Sequence, residues 1–366
     1  MDKTAYLVLE NGAIFKGKKF GSEKNVIAEI VFTTGMTGYL ETLTDKSYAG
    51  QIIVQTFPLI GNYGVIPEDF ESSLISAKGY VVKHPCREPS NFRSKGILED
   101  FLKENDIPGI YDIDTRALVK ILREKGVMNG LITDSIQDIP FHEIKKYVIK
   151  DIVPEVSSKE VKILEPSRVE RNVVLMDFGL KDNIARELVK RNCKVTIVPW
   201  NTSPGEIKKI NPDGIMLSNG PGDPSENTLI IENLKEITRF GIPVFGICLG
   251  HQLLSLAMGY KTFKLKYGHR GGNQPVKNLE TGRVYISSQN HGYAVDNDSI
   301  DTDTGTPLFI NVNDGTCEGI QYKKIKAFSV QFHPEAAGGP KDTAFLFDKF
   351  IDLMEGKDKG AKNAAE

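Results

Sequence analysis

From residue 171 onward the chain alternates short apolar runs with amphipathic ones, and no other feature restricts its fold as strongly. NVVLMDFG (172–179), KVTIVPW (194–200), DGIMLSN (213–219) and PVFGI (243–247) lack the in/out alternation of a half-buried strand. Helical patterns follow them: LKDNIARELVKRN (180–192), SPGEIKKI (203–210), TLIIENLKEITRF (228–240) and LGHQLLSLAMG (249–259). Strands apolar on both faces, separated by helices, predict a mainly parallel sheet covered on both sides. Ligands in such sheets bind beyond the carboxyl ends of the strands. Later strand patterns, RVYISSQ (283–289), GIQYKK (319–324) and AFSVQFH (327–333), and a helix within 341–354 complete this second domain, expected over 171–356.

The first part, 1–152, has a different texture. Alternating strand patterns (YLVLENGAIFKGKKF, NVIAEIVFTT) are mixed with glycine-rich turns (TTGMTGY, FPLIGNYG), and helical patterns cover 94–104 and 114–125. In the latter, Asp114 or Thr115 is placed to cap, and Leu118, Ile121 and Leu122 form one stripe. These patterns predict a smaller β-rich or α+β domain. The stretch 153–170, with two prolines, serines and alternating charges, is expected to be a linker, and 357–366 a disordered tail.

A length of 366 residues suits two domains at about 100–200 residues each. The net charge of −2, with acids and bases interspersed, offers no basic stripe for nucleic acid or an anionic membrane. The opening MDKTAYLVLENG does not resemble a signal peptide, and no run reaches the roughly 18 apolar residues of a membrane span. A cytoplasmic protein is expected. The four cysteines, Cys86, Cys193, Cys248 and Cys317, are far apart and form no C-x-x-C, so neither a metal site nor a disulfide framework is expected.

Chemistry concentrates in three strings. In G-I-C-L-G, Cys248 stands between a buried strand and a helix, with Gly246 and Gly250 two residues away on each side. That is the pattern of a nucleophile elbow, which aims the side chain into the cleft above the sheet. A helix N-terminus favours negative charge, and the Leu249 N–H is then free for an oxyanion. Gln252, four residues on, shares the helix face of Cys248. A small thiol packed under a sheet would also accept glycine neighbours. A catalytic cysteine needs a base, and of the six histidines His333 is favoured: it ends a strand pattern, Pro334 stops the strand, and Glu335 can turn back to orient the imidazole. In S-N-G-P-G-D-P, Gly220 and Gly222 allow close backbone approach beside the elbow, although the string alone would also serve as a plain turn.

Taken together, G-I-C-L-G-H-Q, S-N-G-P-G-D-P and Q-F-H-P-E resemble the class I (triad) glutamine amidotransferases over about 171–355. The resemblance implies a flavodoxin-like domain that hydrolyses glutamine and passes on ammonia. K-Y-G-H-R-G-G-N-Q-P-V (266–276) and S-S-Q-N-H-G-Y-A-V (287–295) are similar to the small, glutamine-hydrolysing subunits of carbamoyl-phosphate synthetases. So are residues 34–54 and 57–64, from a domain that the glutaminases of anthranilate synthase and GMP synthetase lack.

That resemblance implies a Cys248 γ-glutamyl thioester, with His333 shuttling the proton and Glu335 orienting it. It further implies that Leu249, Gly220 and Gly222 hold oxyanion and substrate, and that Ser47, Gln252, Asn290, Gly292 and Tyr293 grip L-glutamine. Tyr293 departs from the family's frequent phenylalanine. Read by themselves, Ser47 and Asn290–Gly292 would be turn residues. No P-loop string is present. No cofactor is therefore expected on this chain, and ATP and Mg are expected on a separate large subunit, in a heterodimer or higher oligomer. That subunit would use ammonia to make carbamoyl phosphate for arginine or pyrimidine biosynthesis. The alternatives are a glutaminase for another synthetase, a non-catalytic regulatory subunit, and a stand-alone cysteine hydrolase. Residues 34–64 argue against the first, and the intact Cys248, His333 and Glu335 against the second. The third leaves the amino-terminal domain without a purpose.

Overall fold

The computed structural model describes residues 3–357, so the tail expected at 357–366 lies, apart from Lys357, outside the described residues. The chain divides into two compact units on either side of Ile152 and Val153.

In the first unit seven strands close into a barrel: β1 (Thr4–Leu9), β2 (Ile14–Gly21), β3 (Val26–Thr33), β4 (Gln51–Gln55), β5 (Gly79–Val81), β6 (Pro108–Tyr111) and β7 (Met128–Thr133). Their order is β1-β2-β6-β5-β4-β3-β7, and β7 pairs back onto β1. Alternation along the strands sorts the side chains. Ile52 and Val54 join one apolar cluster with Ile30 and Ile110, while Ile53 joins another with Val31 and Tyr80. Helix α1 spans Leu98–Glu104, and α2 spans Thr115–Lys125. Asp114 caps α2 by accepting from the Ala117 N–H at 2.9 Å, and Leu118 and Leu122 are the buried part of its stripe.

The second unit is built on a ten-stranded sheet. Its strands are β8 (Lys162–Leu164), β9 (Arg171–Asp177), β10 (Cys193–Pro199), β11 (Gly214–Leu217), β12 (Val244–Ile247), β13 (Thr262–Asn278), β14 (Val284–Val295), β15 (Gly305–Asn311), β16 (Cys317–Tyr322) and β17 (Ala327–Val330). They run in the order β8-β10-β9-β11-β12-β17-β16-β15-β13-β14. The parallel part, β10-β9-β11-β12-β17, has the 2-1-3-4-5 order of flavodoxin-like folds. Both faces are covered, which accounts for the missing in/out alternation. Val174 and Met176 of β9 pack with Leu234, Leu253 and Leu254 on one face. Val173 and Leu175 pack with Ile184, Leu188, Phe347 and Phe350 on the other. Each such side chain contributes about 1.5–3 kcal/mol by leaving water.

Two expectations differ from the structure. Within the stretch expected as a linker, β8 pairs antiparallel with β10, so this segment supplies a sheet edge. Its three residues are exposed, so Ile163 and Leu164 make no buried face, and the strand is held by its pairing to β10. Asn290–Gly292, a turn when read alone, lies inside β14, which pairs with β13 over a long antiparallel hairpin. The strand expected at 283–289 is the first half of β14, while polar residues and glycines leave its second half, β13 and β15 unmarked.

Candidate active site

Cys248 sits at the carboxyl end of β12 with φ 53° and ψ −105°, immediately before helix α3 (Leu249–Ala257). A non-glycine residue in this region carries backbone strain of about 1–3 kcal/mol, which the surroundings must hold. They do so through the Cys248 N–H, which donates to Val330 O at 2.9 Å, and the Gly250 N–H, which donates to Ser218 O at 3.0 Å. The flanking glycines are steric necessities. A Cβ on Gly246 would lie 2.8 Å from Gly250 O, and one on Gly250 would lie 2.5 Å from Leu217 O. The thiol is 2% exposed and donates weakly to Asn290 O at 3.7 Å. At the first helical position, the Leu249 N–H has no intrahelical acceptor.

His333 and Glu335 form the second element. The imidazole Nδ1 donates to Glu335 Oε1 at 2.7 Å, and both side chains are fully buried. The His333 N–H donates to Ser288 O at 2.9 Å, which ties this loop to β14. Burial and Lys181 push the imidazole down, but Glu335 and Cys248 outweigh them and raise it to about 9. Burial acts to raise the Glu335 carboxyl, yet His333 and Lys181 hold it below its ordinary value. The His333 Nε2 is buried without a hydrogen bond of good geometry. Cys248 is near enough to raise the ring, and a pair of this kind tightens around substrate.

The loop after β9 locks the glycine loop beside the elbow. Asp177 Oδ1 accepts from Gly179 N at 2.9 Å and Leu180 N at 2.8 Å. Ser218 Oγ accepts from Phe178 N at 2.9 Å, and Asn219 bridges Lys181 N and Gly179 O, both at 3.0 Å. Gly220 passes so close to this loop that a Cβ would lie 2.3 Å from Phe178 O, and Gly222 has φ 89°. Lys181 Nζ stands 3.9 Å from Glu335 Oε1, and Asn183 Nδ2 donates to Glu335 O. Asp177, Lys181, Asn183, Ser218 and Asn219 carry no local signal of this role in the sequence.

Residues 287–293 run past the elbow as part of β14. Gln252 Nε2 donates to Tyr293 O at 2.8 Å and to Gln331 Oε1 at 2.9 Å, which uses both amide hydrogens and leaves Oε1 to accept from a ligand. The Tyr293 contact is thus through its carbonyl. A Cβ on Gly292 would come within 3.4 Å of the Arg270 guanidinium. The structure thereby brings Cys248, Leu249, Gln252, Asn290, His333, Glu335 and the glycine loop together within one unit. Ser47 belongs to the first unit, in the short 3₁₀ turn Lys46–Tyr48, where its N–H donates to Asp45 Oδ1 at 2.9 Å.

The other candidates separate cleanly. Burial lowers the His251 imidazole to about 3, and its Nδ1 is bonded to Ser329 Oγ at 2.7 Å, so it is no general base. Burial pushes the Cys193 thiol up to about 11 and Cys317 up to about 12, as for inert core thiols. Among the described residues, no helix is long and apolar enough to cross a membrane.

Comparison with known proteins agrees with this layout. Residues 174–353 match the glutamine amidotransferase class-I family model, and residues 7–132 match the model for the carbamoyl-phosphate synthase small chain, CPSase domain. The carbamoyl phosphate synthase small chain of Fusobacterium nucleatum subsp. nucleatum is 53% identical over 94% of this chain and 96% of its own. That of Methanocaldococcus jannaschii is 51% identical over 96% of this chain and 99% of its own. That of Listeria monocytogenes serotype 4b is 50% identical over 98% and 99%.

Proposed function

This chain belongs to the carbamoyl phosphate synthase small chain family, and from that premise we propose that it hydrolyses L-glutamine and hands the ammonia to a large synthase chain. The observation that carries the chemistry is Cys248, held at φ 53° against the buried His333–Glu335 pair. Cys248 Sγ attacks the γ-carboxamide carbon as its proton passes to His333, and the Leu249 N–H with the Gly220–Gly222 loop receives the oxyanion. The imidazolium of His333 gives its proton to the leaving nitrogen, so ammonia departs and a γ-glutamyl thioester remains. Neutral His333 then takes a proton from water, whose oxygen attacks the thioester carbon; glutamate leaves and the thiol is restored. Gln252 Oε1 suits the substrate ammonium, and the Asn290–Tyr293 backbone forms one wall.

Ammonia exposed to neutral water becomes ammonium, which is no nucleophile. The product is therefore useful only if passed directly to the partner. The partner makes carbamoyl phosphate from bicarbonate, ATP and ammonia for arginine or pyrimidine biosynthesis in the cytoplasm, and ATP with Mg belongs to that partner.

The test mixes the chain with a large chain that otherwise uses only free ammonia and measures carbamoyl phosphate made from glutamine. Wild type should confer glutamine dependence, and Cys248→Ser should leave only ammonia-dependent synthesis. Glutamine hydrolysis without carbamoyl phosphate would mean a different partner. Absence of both would return Cys248 to the status of a buried thiol.

A further inference from the structure

Behind the glutamine-facing strand lies a buried charge cluster that the reaction above does not use. His269 of β13 is the register partner of His291 of β14, and their rings meet edge to face at 4.9 Å. On its other sides His269 meets two carboxylates. Its Nε2 contacts Asp314 Oδ2 at 2.8 Å, and its Nδ1 faces Glu318 Oε1 at 3.4 Å. Glu318 is fully buried; its Oε1 accepts from Asn311 Nδ2 at 2.9 Å, and its Oε2 has no hydrogen-bond partner. A carboxylate so placed needs a neighbouring cation, and an imidazolium at His269 supplies it. Burial opposes that charge, but Glu318 and Asp314 outweigh it and raise the His269 value.

His291 is held neutral by burial and by the charge of His269. Its Nδ1 donates to Tyr293 O at 2.7 Å, and its Nε2, which carries no proton on the neutral ring, faces Gln289 Oε1 at 2.9 Å. The ligand atoms of His269, His291 and Glu318 lie within 4.8 Å of one another, a spacing that invites comparison with a metal centre. The two carboxylates already bracket His269, however, and its imidazolium balances Glu318. The contact chain leads directly to the site. Tyr293 O, bound by His291, is the same atom that receives Gln252 Nε2 at 2.8 Å, and the residue preceding His291 offers the carbonyl facing the Cys248 thiol.

We propose that His269, clamped between Asp314 and Glu318, is a positioning residue that seats His291 and thereby sets the Tyr293 carbonyl and the Gln252 amide for glutamine binding. This rests on the glutaminase function proposed above. It acts on substrate affinity, because His269 and His291 act through the Tyr293 carbonyl and the Gln252 amide, neither of which is bonded to the sulfur.

The experiment measures ammonia release from glutamine by the full chain assembled with its large-chain partner, as KM and kcat against pH. His269→Gln should raise KM about tenfold with kcat within about twofold, the loss expected when a charged contact that orients a binding group is removed. The groups facing His269 are Asp314, Glu318 and His291, with Arg270 beside it on the same strand. In wild type KM should rise at alkaline pH as the His269 charge is lost, and Glu318→Gln should move that rise to lower pH. A merely structural role would raise KM equally at every pH. Should His269→Gln fail to fold, Asp314→Asn on the half-exposed turn should still raise KM about threefold. A KM within twofold of wild type in the folded variants, with the alkaline rise unshifted in Glu318→Gln, overturns the inference while glutamine hydrolysis stands. An inactive wild-type assembly overturns the function and the inference together.

Discussion

At Cys248 a strained backbone at φ 53°, near-complete burial and a neighbouring imidazole raised to about 9 meet on one residue. Cys248→Ala should lower glutamine hydrolysis by about 10³-fold or more while leaving the melting temperature close to wild type, since the sulfur's bond to Asn290 O is weak at 3.7 Å. The histidine sets the pH dependence. His333 is protonated below its value of about 9, so the proton needed by the leaving nitrogen is present at neutral pH and is lost as pH rises through about 9. The kcat profile should fall on that side. In Glu335→Gln the carboxylate that raises His333 is gone, and the falling limb should move to lower pH, with kcat at its maximum reduced about 10²–10⁴-fold. A limb unmoved in that variant would show that Glu335 does not tune the imidazole.

The elbow works because α3 is pressed onto the ends of β11 and β12. The contact is backbone to backbone, with Gly250 passing over Leu217 and Gly246 under Gly250. Gly250→Ala forces its Cβ to within 2.5 Å of a carbonyl oxygen that cannot rotate away, so the helix must lift. Such overpacking costs about 1–3 kcal/mol, and here it also displaces the Leu249 N–H and the thiol. Thermal melting and glutaminase kinetics should fall together. Helix α4 (Phe345–Met354) provides the contrast. Phe350→Ala empties a fully buried ring position beside Phe245 and should cost about 3–5 kcal/mol in denaturant titration. The folded fraction should keep a near-normal KM, because that helix touches the sheet face and none of the substrate groups.

Over the whole molecule, acid should find the second unit first. His251 and His291 are buried neutral, with His251 lowered to about 3 and His291 well below its ordinary value. Unfolding below pH 6.5 lets both take up protons that the folded state refuses, so their contribution is intact above 6.5 and is lost progressively as pH falls towards 3. Each adds a slope of about 1.4 kcal/mol per pH unit within that window. His269 and His333 do not add to it, since below 6.5 they are protonated in both states. Calorimetry between pH 7 and 4 should show this steep loss, and His251→Gln should flatten it by about one proton. An unchanged slope would mean that His251 does not stay neutral when folded.

Much of the site was legible in the chain itself, for a definite reason. Cys248 with its glycines and His333 with Glu335 each complete their chemistry within a few consecutive residues, so strand-end position and residue type were enough to mark them. The doubly covered parallel sheet was equally legible, because burial on both faces erases alternation over whole strands. What remained hidden depends on meetings through space. Asn183 reaches Glu335 across more than a hundred residues, and Asp177 secures a loop that Ser218 and Asn219 hold from another strand. β13 and the second half of β14 are polar and glycine-rich, so their pairing left no periodic trace, and the clamp of His269 by Asp314 and Glu318 from another hairpin could not be read from spacing. Local steric and solvation demands are written residue by residue, and the sequence alone marked the candidate nucleophile, its candidate base and the layered fold. Only the tertiary structure, by setting distant charged and polar groups in contact, decided which of them hold that machinery in place.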